Sequence, residues 1–213
     1  MGQLGARAAA VLWLVGAAVY LICEALAAAR LPGYSYTADY ISDLGVSAVM
    51  NVGAFATHGV LFLAGAVVLT RTCSTGGWAG RAFLLAAAAN AVGNIVVATF
   101  RSGAVDSSGH AHWHVVGAGM AIVGGNVAAI IAGFGSRRLG ASRRYRLVSV
   151  VIGVVGLACL VALIIDGANG SRLLPVGLVE RGAVYSIIAW EIMTGLTILR
   201  NRRGTMRGRC SRR

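Results

Sequence analysis

The sequence predicts an all-α protein that crosses a membrane six times as a helical bundle with both termini on the cytoplasmic side. Of its 213 residues, 57% are hydrophobic and only 12% are charged, and the mean hydropathy is +0.75. A soluble domain of this length could not cover so much apolar surface with so few charges, so the expected solvent is a lipid bilayer. The number of membrane crossings follows from the apolar stretches, and their orientation follows from the arginines.

Six apolar stretches have the length that a transmembrane helix needs, because each holds roughly 19–22 residues and a helix rises about 1.5 Å per residue. The expected spans cover residues 8–29, 49–70, 82–100, 113–134, 147–166 and 178–199. The connections are too short for a soluble domain, so we expect one transmembrane domain over 1–213 that ends in a basic cytoplasmic tail, 200–213. The first stretch is too long for the apolar region of a signal peptide, and Glu24 interrupts it.

The distribution of arginine predicts the orientation. All nineteen basic residues are arginine. With six spans both termini lie on the same side of the membrane; fifteen arginines lie on that side, at the termini or in its connections, and four lie on the opposite side. The positive-inside rule therefore places both termini in the cytoplasm of a multi-pass protein of the plasma membrane. The net charge of +12 is expected to meet anionic lipid headgroups rather than nucleic acid, for which the chain has no folded module. The expected partners are membrane lipids, with a membrane-protein partner or a homo-oligomer left open.

The longest polar stretch, GYSYTADYISDLGVS at Gly33–Ser47, follows the first span on the predicted outer side. Its core, YISDLG from Tyr40 to Gly45, is followed by Asn51 and His58; GHAHWH precedes the fourth span and ERGAVYS the sixth. Together with the six spans, these motifs resemble the prokaryotic multi-pass proteins grouped as domain of unknown function 998. The resemblance covers nearly the whole chain and implies the fold without a settled activity.

The same aromatic-Ile-Ser-Asp-x-Gly motif is also similar to one in the FGF-receptor-activating, damage-regulated autophagy modulator family. Some relatives in that family take part in lipid-anchor remodelling. This second resemblance rests on one short motif.

Polar side chains within the spans are the candidate functional residues, because each is costly in hydrocarbon. Helical periodicity aligns Asn51 with His58 on one face and Glu180 with Glu191 on another. A lipid-facing carboxylate would cost about 2.5–3.5 kcal/mol, so we expect the polar stripes to converge inside the bundle. Their depths outline a polar funnel that opens outward and closes near the middle of the bilayer. The Gly33–Ser47 segment would be its lid or rim.

The roles of these residues are predicted from their chemistry. We expect acid–base chemistry from Asp43, His58 and Glu191. The predicted substrate-binding residues are Glu24, Tyr40, Asn51, Asn94, Arg101, Glu180, Arg181 and Tyr185. The two arginines among them, with Asp39 and Asp43 above, would hold a phosphate or a carboxylate, because a guanidinium fork suits such groups.

Three histidines at the start of the fourth span, His110, His112 and His114, are a candidate metal site. Histidine-rich tracts favour divalent ions such as zinc. The alternative is that they are surface histidines at the beginning of a helix.

Three classes of function remain open. The first is an enzyme or binding protein that acts on a lipid or polyprenyl substrate from the outer leaflet. The second is a small proton- or cation-coupled transporter with Glu24, His58 and Glu191 along its path. The third is a non-catalytic accessory or structural subunit whose polar groups lock the helices together. The sequence contains no Gly-x-Ser-x-Gly, His-Glu-x-x-His or phosphate-loop motif, so it does not decide whether the protein is an enzyme.

Overall fold

The computed structural model describes residues 2–73, 77–100, 110–168 and 174–200. Over these ranges the chain has no β-strand and has six helices that are long and apolar enough to cross a membrane. They are α1 (Gly2–Arg30), α2 (Thr57–Thr72, preceded without a break by a π-helical segment, Val49–Ala56), α3 (Trp78–Thr99), α4 (His110–Gly135), α5 (Arg143–Ala168) and α6 (Val176–Arg200). The predicted all-α, six-span membrane fold is confirmed.

Several helices extend beyond the apolar stretches that predicted them. The first and fifth spans were expected from residues 8 and 147, whereas α1 begins at Gly2 and α5 at Arg143. A helix satisfies its own backbone hydrogen bonds, so it can continue into polar residues beyond the hydrocarbon. Of the predicted basic tail, only Arg200 is described, as the last residue of α6.

The helices pack in chain order into a closed ring, each against the next, with α6 returning to α1 and also contacting α4. Close approach depends on small residues. A Cβ at Gly93 of α3 would lie 2.3 Å from the backbone nitrogen of Ala121 in α4. With α6 packed against three other helices, its polar residues from Glu180 to Thr194 are buried or half-buried, and Glu191 is fully buried.

The bundle has two distinct ends. The loop end carries residues 31–48, and the arginine end carries the start of α1 and the end of α6. The predicted orientation makes the loop end the outer one, and that orientation stays a prediction.

Residues 31–48 fold back over the loop end. A turn at Gly33, with φ of 77°, leads to a 3₁₀-helix, Ile41–Val46, which is followed closely by the π-helical segment. Ile41 and Leu44 are buried among side chains of α1, the π-helical segment, α3 and α6. The Asn51 side chain donates to the carbonyl of Gly45 at 2.7 Å. The apolar anchors and this bond attach the segment to the bundle.

Candidate functional site

A buried guanidinium lies at the centre of the loop end. Arg181, in the second turn of α6, is 5% exposed. Its Nε and Nη2 donate to Glu24 Oε1 at 3.1 and 2.9 Å, and Nη2 also donates to the Tyr34 hydroxyl at 2.6 Å. Its Nη1 donates to three backbone carbonyls: Tyr36 (2.6 Å), Asp39 (3.3 Å) and Gly177 (3.1 Å). A guanidinium has five N–H groups, so each of them has an acceptor within the chain.

Both oxygens of the Glu24 carboxylate accept hydrogen bonds, just as every N–H of Arg181 donates one. Glu24 is 1% exposed, and its second oxygen accepts the Tyr185 hydroxyl at 2.8 Å. A buried ion pair is tolerated when the remaining lone pairs and protons of both partners are satisfied. We call Glu24, Arg181, Tyr185 and Tyr34 the outer network.

Two loop tyrosines complete the surroundings of the guanidinium. The Arg181 Cζ lies 4.4 Å from the centre of the Tyr36 ring, a cation–π distance. The Tyr34 hydroxyl accepts from Arg181 and donates to the Tyr40 carbonyl at 3.0 Å. Burial raises the pKa of Tyr34 above its ordinary value, so this hydroxyl stays neutral and keeps the proton that it donates.

The loop is joined to α6 by two further backbone contacts. The Ile41 amide donates to the Glu180 carboxylate, and the Gly177 amide donates to the Thr37 carbonyl at 3.0 Å. The expectation that the Gly33–Ser47 segment caps the bundle is confirmed by these bonds.

The two loop aspartates were expected to lie over Arg101 and Arg181; Arg101 lies outside the described residues, so that part of the expectation stays a prediction. The carboxylates of Asp39 and Asp43 accept the amides of Ser35 and Tyr40 at 2.7 and 3.1 Å, within the loop itself. Arg181 reaches Asp39 through its carbonyl, not its side chain. These carboxylates therefore contribute to the shape of the loop.

Substituting Gly177 tests the contact between the loop and α6. A Cβ there would lie 2.5 Å from the Asp39 carbonyl oxygen and 2.7 Å from that of Tyr36. We expect Gly177→Ala to push the loop outward, to destabilise the protein by about 1–3 kcal/mol and to speed amide hydrogen exchange in the loop. Gly167→Ala is the matched control, because nothing lies within 4 Å of that Cβ. Unchanged exchange in Gly177→Ala would show that this contact does not hold the loop.

A second ionisable pair lies deeper in the bundle. His58 of α2 and Glu191 of α6 are 3% and 0% exposed, and the distance from His58 Nε2 to Glu191 Oε2 is 2.8 Å. The rings of Tyr20 and Phe62 lie 5.4 and 6.0 Å from the imidazole. We call His58 and Glu191 the inner pair.

The inner pair has bonding capacity that the described part of the chain does not fill. His58 Nδ1 and Glu191 Oε1 are buried and have no hydrogen-bond partner there. Leaving a buried donor or acceptor unsatisfied costs about 1–3 kcal/mol, so such atoms require an explanation. The outer network, by contrast, uses both oxygens of Glu24 and every N–H of Arg181.

Four aromatic rings lie next to the inner pair: three are on the side of the arginine end, and the fourth, Trp190, directly precedes Glu191 on α6. Trp190 is in contact with three other rings, at centroid distances of 5.3 Å to Trp13, 6.0 Å to Phe62 and 6.1 Å to Phe83. Phe62 follows His58 by one turn toward the arginine end. We call these four residues, from α1, α2, α3 and α6, the aromatic floor.

The remaining predicted binding residues form other contacts. The Asn94 side chain donates to the carbonyl of Asn90 at 2.9 Å, and that of Asn90 donates to Ala121 in α4 at 2.7 Å. Tyr40 lies at the surface of the loop, and Asn51 bonds to Gly45 as described above. Arg101 lies outside the described residues.

The predicted histidine triplet is described only in part. His110 begins α4, and its side chain lies outside the described residues. His114 is buried, with Nδ1 2.6 Å from the Phe100 carbonyl, whereas His112 is exposed. Among the described residues, no three His, Cys, Asp or Glu side chains are grouped as metal ligands would be. The zinc site stays a prediction.

The predicted site residues thus lie in separate groups within the described bundle. Glu24, Arg181 and Tyr185 meet in the outer network, and His58 meets Glu191 below. Tyr34, Tyr36 and Trp190 had no role predicted from the sequence. The three tyrosines of Gly33–Ser47 and the position of Trp190 beside a buried glutamate were the signals for them.

Comparison with known proteins identifies a family for the chain but no activity. No curated protein and no solved structure matches the chain. The family described as Protein of unknown function (DUF998) matches residues 14–197. The matched range includes the inner pair, the outer network and the whole capping loop. The chain belongs to the DUF998 family, whose function is unknown, and its described residues include six membrane-capable helices.

Proposed function

We propose that the chain binds a membrane lipid or a polyprenyl molecule inside the bundle and that the inner pair carries out acid–base chemistry on the polar group of this ligand. The observation that supports the proposal is the pair itself. Two buried ionisable side chains share a 2.8 Å contact, and each leaves one polar atom without a partner in the described residues. A bound hydroxyl would donate to Glu191 Oε1, and a hydroxyl or phosphate oxygen would accept from His58 Nδ1 when that nitrogen carries a proton.

The chemistry of the pair suits proton transfer. Histidine exchanges protons near neutral pH, and a hydrogen-bonded carboxylate fixes its ring orientation and tautomer. His58 is held in this way by Glu191 through Nε2, which leaves Nδ1 for the ligand. The predicted catalytic roles of His58 and Glu191 are therefore retained in this proposal, whereas Asp43 is assigned to the loop.

The position of the pair favours a ligand that is dissolved in the bilayer. His58 lies nine residues from the start of the π-helical segment, about 13 Å along the helix from the loop end. The capping loop covers the path from water above it. A lipid can reach this depth sideways, between helices, while its chains remain in hydrocarbon.

The outer network gives Arg181 a role in the same proposal. Two of its acceptors are carbonyls of the loop, at Tyr36 and Asp39. A phosphate is a stronger acceptor for a guanidinium than a neutral carbonyl. A separate anionic group of the ligand, ten residues away from Glu191 along α6, would be held by Arg181 if it replaced these carbonyls, and it would release the loop at the same time. Binding would then be coupled to opening of the lid.

The test is retention of lipid by the purified full-length protein. We expect the wild type to retain one lipid class at a fixed stoichiometry, measured by native mass spectrometry and lipid analysis after exhaustive detergent exchange. His58→Ala should weaken binding at least about tenfold, because a hydrogen bond to a charged group contributes about 1.5–3 kcal/mol. His112→Ala is the matched control, since that side chain is exposed. Equal retention by the folded His58→Ala variant, or no enriched lipid in the wild type, would contradict the proposal.

A further inference from the structure

On the loop side of the inner pair, ionisable side chains continue toward the surface. Tyr20 lies on α1 with its ring edge against His58, at a centroid distance of 5.4 Å. One turn further along α1 is Glu24, which accepts the Tyr185 hydroxyl and pairs with Arg181. Tyrosine, glutamate and tyrosine side chains can each give or accept a proton. Along α1, Tyr20 therefore lies between Glu24 of the outer network and the level of His58.

On the opposite side of the inner pair is the aromatic floor. Trp13, Phe62 and Trp190 are 0%, 0% and 1% exposed. A Cβ at Gly65 would lie 2.5 Å from Trp13 Nε1, which shows how closely the floor is packed. An indole N–H can only donate, and a phenyl ring has no exchangeable proton. The indole of Trp13 already donates to the Phe62 carbonyl at 3.1 Å.

The depth of the aromatic floor in the bundle follows from the positions of its residues along α1, α2 and α3. Trp13 precedes Gly16, where an added Cβ would lie 3.9 Å from Glu191 Oε1, and lies on the arginine side of it. Phe62 follows His58 toward the same end, and Phe83 is in the second turn of α3, which begins there. Trp13, Phe62 and Phe83 thus lie between the inner pair and the arginine end, and Trp190, which directly precedes Glu191 on α6, contacts all three.

We propose that the inner pair exchanges protons with the loop end only, past Tyr20, and that the aromatic floor blocks exchange with the arginine end. This inference rests on the proposed acid–base role of the pair. The titratable groups on the loop side include Tyr20 and Glu24 of α1, His114 of α4, Asp166 of α5 and Glu180, Arg181 and Tyr185 of α6, together with the aspartates and tyrosines of the capping loop. Tyr145 of α5, which contacts Thr194 at 3.1 Å, lies beyond the floor. The proton used in the reaction would be taken from, or returned to, the compartment at the loop end.

Proton flux in proteoliposomes tests the inference without a substrate. Full-length protein is reconstituted with a trapped pH indicator, and a pH gradient is imposed under potassium and valinomycin. In wild-type proteoliposomes we expect the pH gradient to decay at the rate measured in liposomes without protein. Opening the floor with Trp190→Ala should speed the decay at least about tenfold, which corresponds to a barrier lowered by 1.36 kcal/mol. Trp78→Ala is the matched control, because that indole is 73% exposed.

A second substitution shows whether the leak passes through the pair. Adding Glu191→Gln to Trp190→Ala should return the decay to the wild-type rate, since the proton-exchanging carboxyl is lost. Phe83→Ala opens the floor at a different residue and should leak in the same way if Trp190→Ala does not fold. A leak in the wild type, no leak in either folded floor variant, or a leak that persists with Glu191→Gln would overturn the inference. Lipid retention fails or succeeds independently of this flux, so the two proposals can be separated.

Discussion

Replacing Arg181 with methionine is expected to destabilise the protein by about 3–5 kcal/mol, the cost of leaving a buried charge without its partner. Glu24 is 1% exposed and would keep only the Tyr185 hydroxyl. The change also removes the donor from the carbonyls of Tyr36 and Asp39. The loss should be measured as the shift in the unfolding midpoint in detergent. Arg71→Met, at an exposed position of α2, is the matched control and should stay within about 0.5 kcal/mol of the wild type.

The double variant Arg181→Met with Glu24→Leu separates the ion pair from the attachment of the loop. Removing both charges relieves the unpaired carboxylate, so part of the lost stability should return. The loop carbonyls remain without their donor in the double variant, so recovery should be incomplete and loop amides should still exchange faster than in the wild type. Full recovery, with wild-type exchange in the loop, would show that Arg181 is not what holds the loop to α6.

The fold was predictable from the sequence because it depends on the hydrophobicity averaged over runs of many residues. Apolar runs of bilayer length predicted all six helices, and the largest differences were at ends such as Gly2 and Arg143, where the helix continues beyond the hydrocarbon. The π-helical segment Val49–Ala56 was not predicted. An apolar run does not distinguish an i→i+5 from an i→i+4 hydrogen-bond pattern, since the residue types that favour a membrane helix are the same in both.

The site was predictable only as a set of inward-facing residues. Periodicity indicated that Glu24, His58 and Glu191 face the bundle, but it carries no information on partners that are 157 or 133 residues apart in sequence. Those partners depend on which helices are neighbours and at what height. The aromatic floor was missed for the same reason. Trp13 and Trp190 look like ordinary apolar residues until their rings are seen to meet 5.3 Å apart.

Replacing the whole inner pair with leucines is expected to leave the protein as stable as the wild type, or about 1–4 kcal/mol more stable, because a buried ion pair is often no better for stability than apolar side chains of similar volume. The unpartnered His58 Nδ1 and Glu191 Oε1 would disappear with it. The single variant His58→Leu should instead be destabilised by about 3–5 kcal/mol, since Glu191 then lacks its partner. The unfolding midpoints of His58→Leu, Glu191→Leu and the double variant together complete a double-mutant cycle.

The same double variant should lose lipid retention while it keeps its stability, because a functional site is commonly maintained at the expense of stability.

The control for this double variant is a buried polar contact in which every group has a hydrogen-bond partner. The Ser186 hydroxyl donates to Asn126 Oδ1 at 2.7 Å, and the Asn126 amide donates to the carbonyls of Ile122 and Ala183. Asn126→Leu with Ser186→Ala should lower stability, since those carbonyls lose a donor, and should leave lipid retention unchanged. If the inner-pair double variant is instead less stable than the wild type and still retains lipid, His58 and Glu191 only hold α2 to α6, and the accessory or structural function becomes the better account of this bundle.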